Sequence, residues 1–236
     1  MSDVKTVDEM VARLHSLEDS LQIGDGVRWF NRLLLEVTLP VREVLAHAHL
    51  AAPPFLERLD VFIGNAYFDA LAGAQGGDGG VPRAWAPLFD ARHDPRIAPL
   101  QFALAGMNAH INHDLAIGTV VTCRALGMAP GSAQQHDFQA VNAVVTETEA
   151  RVKRWLLTGA VKELDHLVAP ADDLAAIWSL GRARAAAWVR AQVLWHLRGE
   201  PDISAAWIAV NDRATELAGR ALLLPLPYAG AQDPLR

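Results

Sequence analysis

Apolar residues recur at helical spacing along most of this chain, and clusters of proline and glycine interrupt them. In one segment Trp29, Phe30, Leu33, Leu34 and Val37 follow such a pattern. That period places them on one face of an α-helix, whereas the alternation typical of a half-buried β-strand is scarce. The sequence therefore predicts an all-α fold built as a helix bundle.

Helix start and stop signals divide the chain into about seven helices. The pattern Thr6-x-x-Glu9 is a capping box, and Pro53-Pro54 is suited to a first helical turn. Pro40 is expected to bend or break the second helix, because proline lacks a backbone donor and clashes with the preceding turn. The predicted helices run from about Thr6 to Leu17, from Gly26 past Val41, from Pro53 past Ala66, from Leu100 to Leu126, from Asp137 to Leu157, from Pro170 to Arg198 and from Pro201 to Leu224.

A long segment rich in glycine and proline, residues 73–99, is expected to form no regular element. Because it also contains Trp85, Leu88 and Phe89, it is expected to pack over something, either as a lid or as an ordinary connection. We predict a single helical domain over residues 1–236. Residues 1–24 would form an N-terminal helix and linker, and residues 225–236 an irregular tail.

Composition excludes several classes of function. Hydrophobic residues make up 51% and charged residues 20% of the chain, which is typical of a globular protein. The net charge is −6 and no block of lysine or arginine occurs, so nucleic acid is not an expected partner. No apolar run reaches the roughly 18–20 residues that span a bilayer, so no membrane partner is expected. A single cysteine, Cys123, is compatible with a reducing compartment, and we expect a cytoplasmic protein.

A polar run, Asn108-Ala109-His110-Ile111-Asn112-His113-Asp114-Leu115, interrupts the otherwise apolar fourth helix. At 100° per residue, His110, His113 and Asp114 would share one helix face. Buried hydrogen-bonding side chains must all find partners, which is costly unless they serve a function. We therefore predict that His110, His113 and Asp114 are catalytic residues.

Two kinds of chemistry fit this run. The first hypothesis is a metal-dependent enzyme in which His110, His113 and Asp114 hold zinc, iron or manganese, with Asp69 from the third helix as a further ligand. The alternative is a metal-free acid–base enzyme (a cyclase, isomerase or hydrolase) that uses the same side chains. A non-catalytic small-molecule binding protein, and a buried polar network that only specifies helix packing, remain open as well.

Further polar and aromatic residues are predicted to bind a small, largely apolar substrate, if the second to fifth helices share an interior. Arg182 and Arg184 could bind an anionic substrate, but they are interpreted instead as surface residues that form salt bridges. Glycine-rich nucleotide-binding motifs are absent, so no nucleotide cofactor is expected. The predicted substrate-binding residues are Asn31, Asn65, Tyr67, Trp85, Asn108 and Asn112.

Four segments of the chain, residues 25–33, 81–89, 104–115 and 183–188, resemble a family of uncharacterised bacterial proteins, mostly actinobacterial. The resemblance extends over about residues 25–224, and its hallmark is Asn-Ala-His-Ile-Asn-His-Asp-Leu. It implies a single helical domain and makes His110, His113 and Asp114 part of that hallmark. It also implies a link to specialised metabolism, which favours a small apolar substrate.

Overall fold

A computed structural model describes residues 3–77, 80–158 and 179–225. Every regular element in these ranges is helical, which confirms the all-α prediction. The expected helix start at Pro170 lies outside the described residues, and so do residues 226–236. The elements are α1 (Val7–Ser20), α2 (Gly26–His47), α3 (Pro53–Ala74), α4 (Ala86–Ala91), α5 (Pro99–Ala109), a π-helical segment (His110–Leu115), α6 (Ala116–Ala125), α7 (Ser132–Thr158), α8 (Leu180–His196), a 3₁₀ turn (Leu197–Gly199) and α9 (Pro201–Leu222).

The first two helices show where local signals hold and where packing overrides them. At the start of α1 the side chain of Thr6 accepts a hydrogen bond from the backbone N–H of Glu9, as the capping pattern predicts. A break at Pro40 does not occur, because α2 continues as one helix through this residue. Residues on both sides of it, including Leu35 and Val41, are buried, and this packing holds the two halves of α2 together.

The segment 73–99 is more regular than its composition predicts. Helix α3 continues to Ala74, and α4 forms inside the segment with Pro87 in its first turn, where proline is tolerated. The chain turns back between them through Gly80, whose φ of 67° favours glycine. The prediction that glycine and proline forbid any element here is therefore wrong.

Helix α5 lies at the centre of the fold. All its residues are buried, because α2, α4, α7 and α9 pack against it. The π-helical segment continues it and contacts α3, α8 and α9. A helix that is apolar on all sides belongs in a protein interior, so this arrangement explains the composition of the fourth predicted helix. Along the described part of the chain, no helix is long and apolar enough to cross a membrane.

Close packing between α2 and α5 depends on Gly106. A Cβ atom there would overlap the ring of Phe30, which is fully buried and packed against Tyr67 and Trp85. Because Phe30 has no room to move, Gly106→Ala is expected to lower the free energy of unfolding by about 1–3 kcal/mol. Urea denaturation measures this loss. Gly199→Ala, which would meet nothing within 4 Å, is the control, and an equally small effect at both positions would contradict the prediction.

Candidate functional site

The predicted polar run coincides with the π-helical segment. His110–Leu115 is one π turn between α5 and α6, in which hydrogen bonds join residues five apart. Such turns are rare and occur frequently at functional sites. They also change the rotation per residue, so the angular argument for a regular α-helix does not hold here. As a result, His110 and His113 lie in two different environments.

His110 lines a cavity between α2, α3, α7 and α8. Most of the cavity wall is apolar, with side chains such as Leu34, Leu59 and Val141. The cavity has a volume of about 40 Å³, enough for roughly two or three water molecules. The polar residues of the wall are Thr38, Asp60, His110 and Arg184.

The imidazole of His110 is neutral and partly unpaired. Its side chain lies against Phe30, with ring centroids 5.9 Å apart, and its buried Nδ1 atom has no hydrogen-bond partner among the described residues. Burial, and to a lesser extent the positive charge of Arg184, lower the pKa of His110 to about 3. The ring is therefore uncharged at neutral pH and has one free nitrogen for a ligand.

Asp60, on α3, brings a carboxyl group to the same cavity. Its Oδ2 atom is buried and finds no hydrogen-bond partner within the described part of the chain. Burial raises the pKa of Asp60 to about 6, although the positive charge of Arg184 opposes the shift. Asp60 is one of the polar residues of the third predicted helix, but it is not among the predicted catalytic, substrate-binding or metal-binding residues. The signal was present, since Asp60 stands at helical spacing among Leu56, Leu59 and Ile63, where an apolar residue is expected.

Arg184, on α8, is buried rather than exposed, so its interpretation as a surface residue is wrong. Its Nε atom donates to Asn142 Oδ1 at 2.8 Å and Nη2 donates to the carbonyl oxygen of Phe138 at 3.1 Å. The guanidinium lies 4.3 Å from the centroid of the Phe138 ring. Burial lowers the pKa of Arg184 to about 10, with Asp60 opposing the shift, so the group stays charged at neutral pH.

His113 and Asp114 face away from the cavity and join three parts of the fold. His113 Nδ1 lies 2.7 Å from Asp114 Oδ1, and His113 Nε2 lies 3.6 Å from Asp212 Oδ1 on α9. The indole of Trp85 donates to Asp114 Oδ2 at 3.0 Å, and the N–H of Ala84 donates to Asp212 at 2.8 Å. We call His113, Asp114, Asp212 and Trp85 the clamp, because they hold residues 84–85 against the π-helical segment and α9.

Electrostatics in the clamp raise the pKa of both His113 and Asp114. Burial lowers the pKa of His113, but the hydrogen bond to Asp114 and the charges of Asp114 and Asp212 outweigh it and raise the pKa. Burial raises the pKa of Asp114, and the hydrogen bonds with His113 and Trp85 offset only part of that shift. The polar side chains of the clamp are thus paired with one another, in contrast to Asp60 and His110 in the cavity.

Trp85, a predicted substrate-binding residue, is fully buried in an aromatic cluster. Its ring stacks on Tyr67 and Phe89, with centroids 5.4 and 6.0 Å apart, and meets Phe30 edge-on. Tyr67 is buried in the same cluster, and its hydroxyl has no hydrogen-bond partner. The segment around Trp85 is thus packed into the core, and it does not line the cavity that His110 lines.

The predicted asparagines connect elements of the fold. Asn108 donates to the carbonyl oxygen of Thr215 on α9 and accepts from Asn112. Asn112 in turn accepts from Arg190 on α8. These bonds hold the π-helical segment between α8 and α9. Elsewhere, Asn31 donates to the carbonyl oxygen of Leu14 and to Glu18, and Asn65 pairs with the backbone of Val4.

The predicted metal ligands do not gather in the described ranges. Asp69 is exposed on α3, while His110 faces the cavity and His113 and Asp114 belong to the clamp. Within residues 3–77, 80–158 and 179–225, no three His, Cys, Asp or Glu side chains are close enough to hold an ion. The cavity itself brings together two possible ligands, His110 and Asp60, beside the cation of Arg184.

Comparison with known proteins places the chain in a family. It belongs to the family of unknown function DUF5995, whose match covers residues 7–225. This confirms the resemblance to a family of uncharacterised proteins. The comparison with curated proteins found no match, and neither did the comparison with solved structures.

Proposed function

We propose that this DUF5995 protein is a metal-free enzyme that moves a proton on a small, largely apolar molecule bound in the cavity. One observation carries the proposal: Asp60, His110 and Arg184 line the same apolar cavity, and Asp60 and His110 each have a buried atom without a partner. Buried polar atoms are nearly always hydrogen-bonded, so unpaired ones require an explanation. A bound substrate would supply the missing partners.

Asp60, His110 and Arg184 suit proton transfer because their environments give them different charges at neutral pH. A carboxyl group with a pKa of about 6 is largely ionised at neutral pH and close to the ideal strength for a general base. His110 stays neutral and is able to accept or donate a hydrogen bond. Arg184 remains positive and stabilises negative charge that develops nearby. Asp60 is the proposed base.

The clamp has a positioning role in this proposal. His113 and Asp114 anchor the π-helical segment to Trp85 and Asp212, and His110 begins that segment. Their contacts account for both side chains without a substrate. We therefore assign the proton transfer to the cavity and not to the His113–Asp114 pair.

A metal-dependent reaction is the second candidate, because His110 and Asp60 both line the cavity and are typical metal ligands. The buried cation of Arg184 opposes a divalent ion at the same place. Elemental analysis of the protein purified without a histidine tag distinguishes the candidates. A near-stoichiometric metal that is lost in the His110→Ala variant would overturn the metal-free proposal. We expect no such metal.

Ligand binding tests the cavity directly. Acetone, 2-propanol, acetamide and acetate have similar sizes and differ in their polar group. Added to isotopically labelled protein, at least one is expected to shift NMR signals of cavity residues such as Met107 and Ile111. Val37→Phe, which places a larger side chain in the half-buried part of the wall, should abolish the shifts, whereas the exposed Val189→Phe should preserve them. If none of the four molecules binds, the proposal is wrong.

A further inference from the structure

We infer that the substrate is an uncharged carbonyl compound, and that Arg184 holds its oxygen while Asp60 removes a proton from the carbon beside the carbonyl. This inference rests on the proposed function and names the substrate class for the same cavity. Its support comes from the geometry of Arg184, the charges of the cavity and the size of the space.

Arg184 is fixed with one donor group left over. Asn142 and Phe138 occupy Nε and Nη2, and the Phe138 ring supports one face of the guanidinium. No hydrogen bond of Nη1 occurs in the described part of the protein. A cation held in advance by other contacts loses little freedom when it binds an oxygen, which is the arrangement that stabilises a developing oxyanion.

Charge balance in the cavity selects a neutral ligand. Arg184 and the ionised form of Asp60 carry opposite charges, and the rest of the wall is apolar or uncharged. A ligand carboxylate would add an uncompensated negative charge to a low-dielectric space, which is expensive. A carbonyl group needs only one or two donors. The small volume, about 40 Å³, further favours a compact molecule with few heavy atoms.

The proposed step is the formation of an enolate. The proton on the carbon beside the carbonyl moves to the carboxylate of Asp60, and the C–H electron pair forms a carbon–carbon double bond. The carbonyl π electrons move to the oxygen, so the negative charge passes from Asp60 to the enolate oxygen beside Arg184. The net charge of the cavity is unchanged. If the carboxyl proton of Asp60 exchanges with solvent before it returns, protonation of the same carbon gives isotope exchange, and protonation of another carbon of a conjugated substrate gives an isomer.

Proton exchange provides the test without knowledge of the natural substrate. Acetone or butanone is incubated with the protein in D₂O, and the loss of the α-proton NMR signal is followed. The wild type is expected to accelerate exchange. Asp60→Asn should reduce the protein-dependent rate by about 10²–10⁴-fold, the typical contribution of a general base. Arg184→Gln should reduce it by about 10²–10³-fold, the typical contribution of one oxyanion donor.

Matched variants separate this chemistry from general damage. Glu57→Gln and Arg182→Gln alter exposed residues of the same charge on the same two helices, and both should preserve the exchange rate. Arg184→Lys keeps the buried charge, and it should retain more activity than Arg184→Gln. Equal losses in Arg184→Lys, Arg184→Gln and the exposed controls would overturn the inference.

The same experiment distinguishes failure of the inference from failure of the proposed function. If any of the four molecules occupies the cavity while neither ketone exchanges faster with the wild type than with Asp60→Asn, the inferred carbonyl chemistry is wrong and the proposed function stands. If no small molecule occupies the cavity, both are wrong. If acetate binds more tightly than acetone at neutral pH, the charge argument fails.

Discussion

Trp85→Ala is expected to lower the free energy of unfolding by about 3–5 kcal/mol, the typical loss for a fully buried tryptophan. Its ring stacks on Tyr67 and Phe89, so its removal leaves a large void next to α5. It also removes the N–H that donates to Asp114 Oδ2. This oxygen would then be a buried acceptor without a partner, which lowers the free energy of unfolding further. Urea denaturation monitored by circular dichroism measures the loss.

Two further variants resolve the contributions to this loss. Trp85→Phe keeps most of the ring and removes only the donor to Asp114, so it should cost about 1–3 kcal/mol. Trp207→Ala alters a half-buried tryptophan on α9 and should cost less than Trp85→Ala. If Trp85→Ala and Trp207→Ala are equally destabilising, the segment 81–91 is not anchored as described.

The second large effect concerns pH. The pKa of His110 is lowered from 6.5 to about 3 on folding, so between these values the unfolded chain binds the extra proton and stability rises with pH. The pKa of Asp60 is raised from 3.8 to about 6, so between these values the native protein binds the extra proton and stability falls with pH. Between about pH 4 and 6 the two effects oppose each other and nearly cancel in the wild type.

Single substitutions should reveal separately how Asp60 and His110 make the free energy of unfolding depend on pH. Relative to the wild type, the free energy of unfolding of Asp60→Asn should rise with pH, and that of His110→Gln should fall, each by up to about 1.4 kcal/mol per pH unit between pH 4 and 6. Subtraction of the wild-type curve removes the titration of His113 and Asp114. The measurement is urea denaturation at several pH values. Parallel curves for both variants and the wild type would show that neither group is buried in the charge state described.

Local signals in the sequence were sufficient for most helices. The capping pattern at Thr6 and the proline pair at the start of α3 mark boundaries through short-range chemistry, and the structure retains both. The structure differs from the prediction at Pro40 and at residues 86–91. Both positions are helical because buried neighbours stabilise helices that local preferences disfavour. Tertiary packing thus corrected the boundaries without changing the fold class.

The site was harder to predict than the fold. The polar run correctly marked the π-helical segment, but a regular helical period was assumed, and it placed His110 and His113 on one face. Asp60 and Arg184 lie on separate helices, and only the rotation of α3 and α8 brings both to the cavity. Nothing in a single sequence specifies those rotations, so only the three-dimensional structure shows that Asp60 and Arg184 reach the same cavity as His110.

The π turn allows the continuous helical stretch from α5 to α6 to pack against two different sets of helices. Helix α5 packs against α2 and α6 packs against α3 and α8, although no bend, loop or cap separates α5 from α6 in the chain. The extra residue in the π turn rotates the side chains of α6 about the helix axis relative to those of α5. Consequently the number of residues between Ala109 and Ala116 constrains this protein more tightly than the identity of most of them.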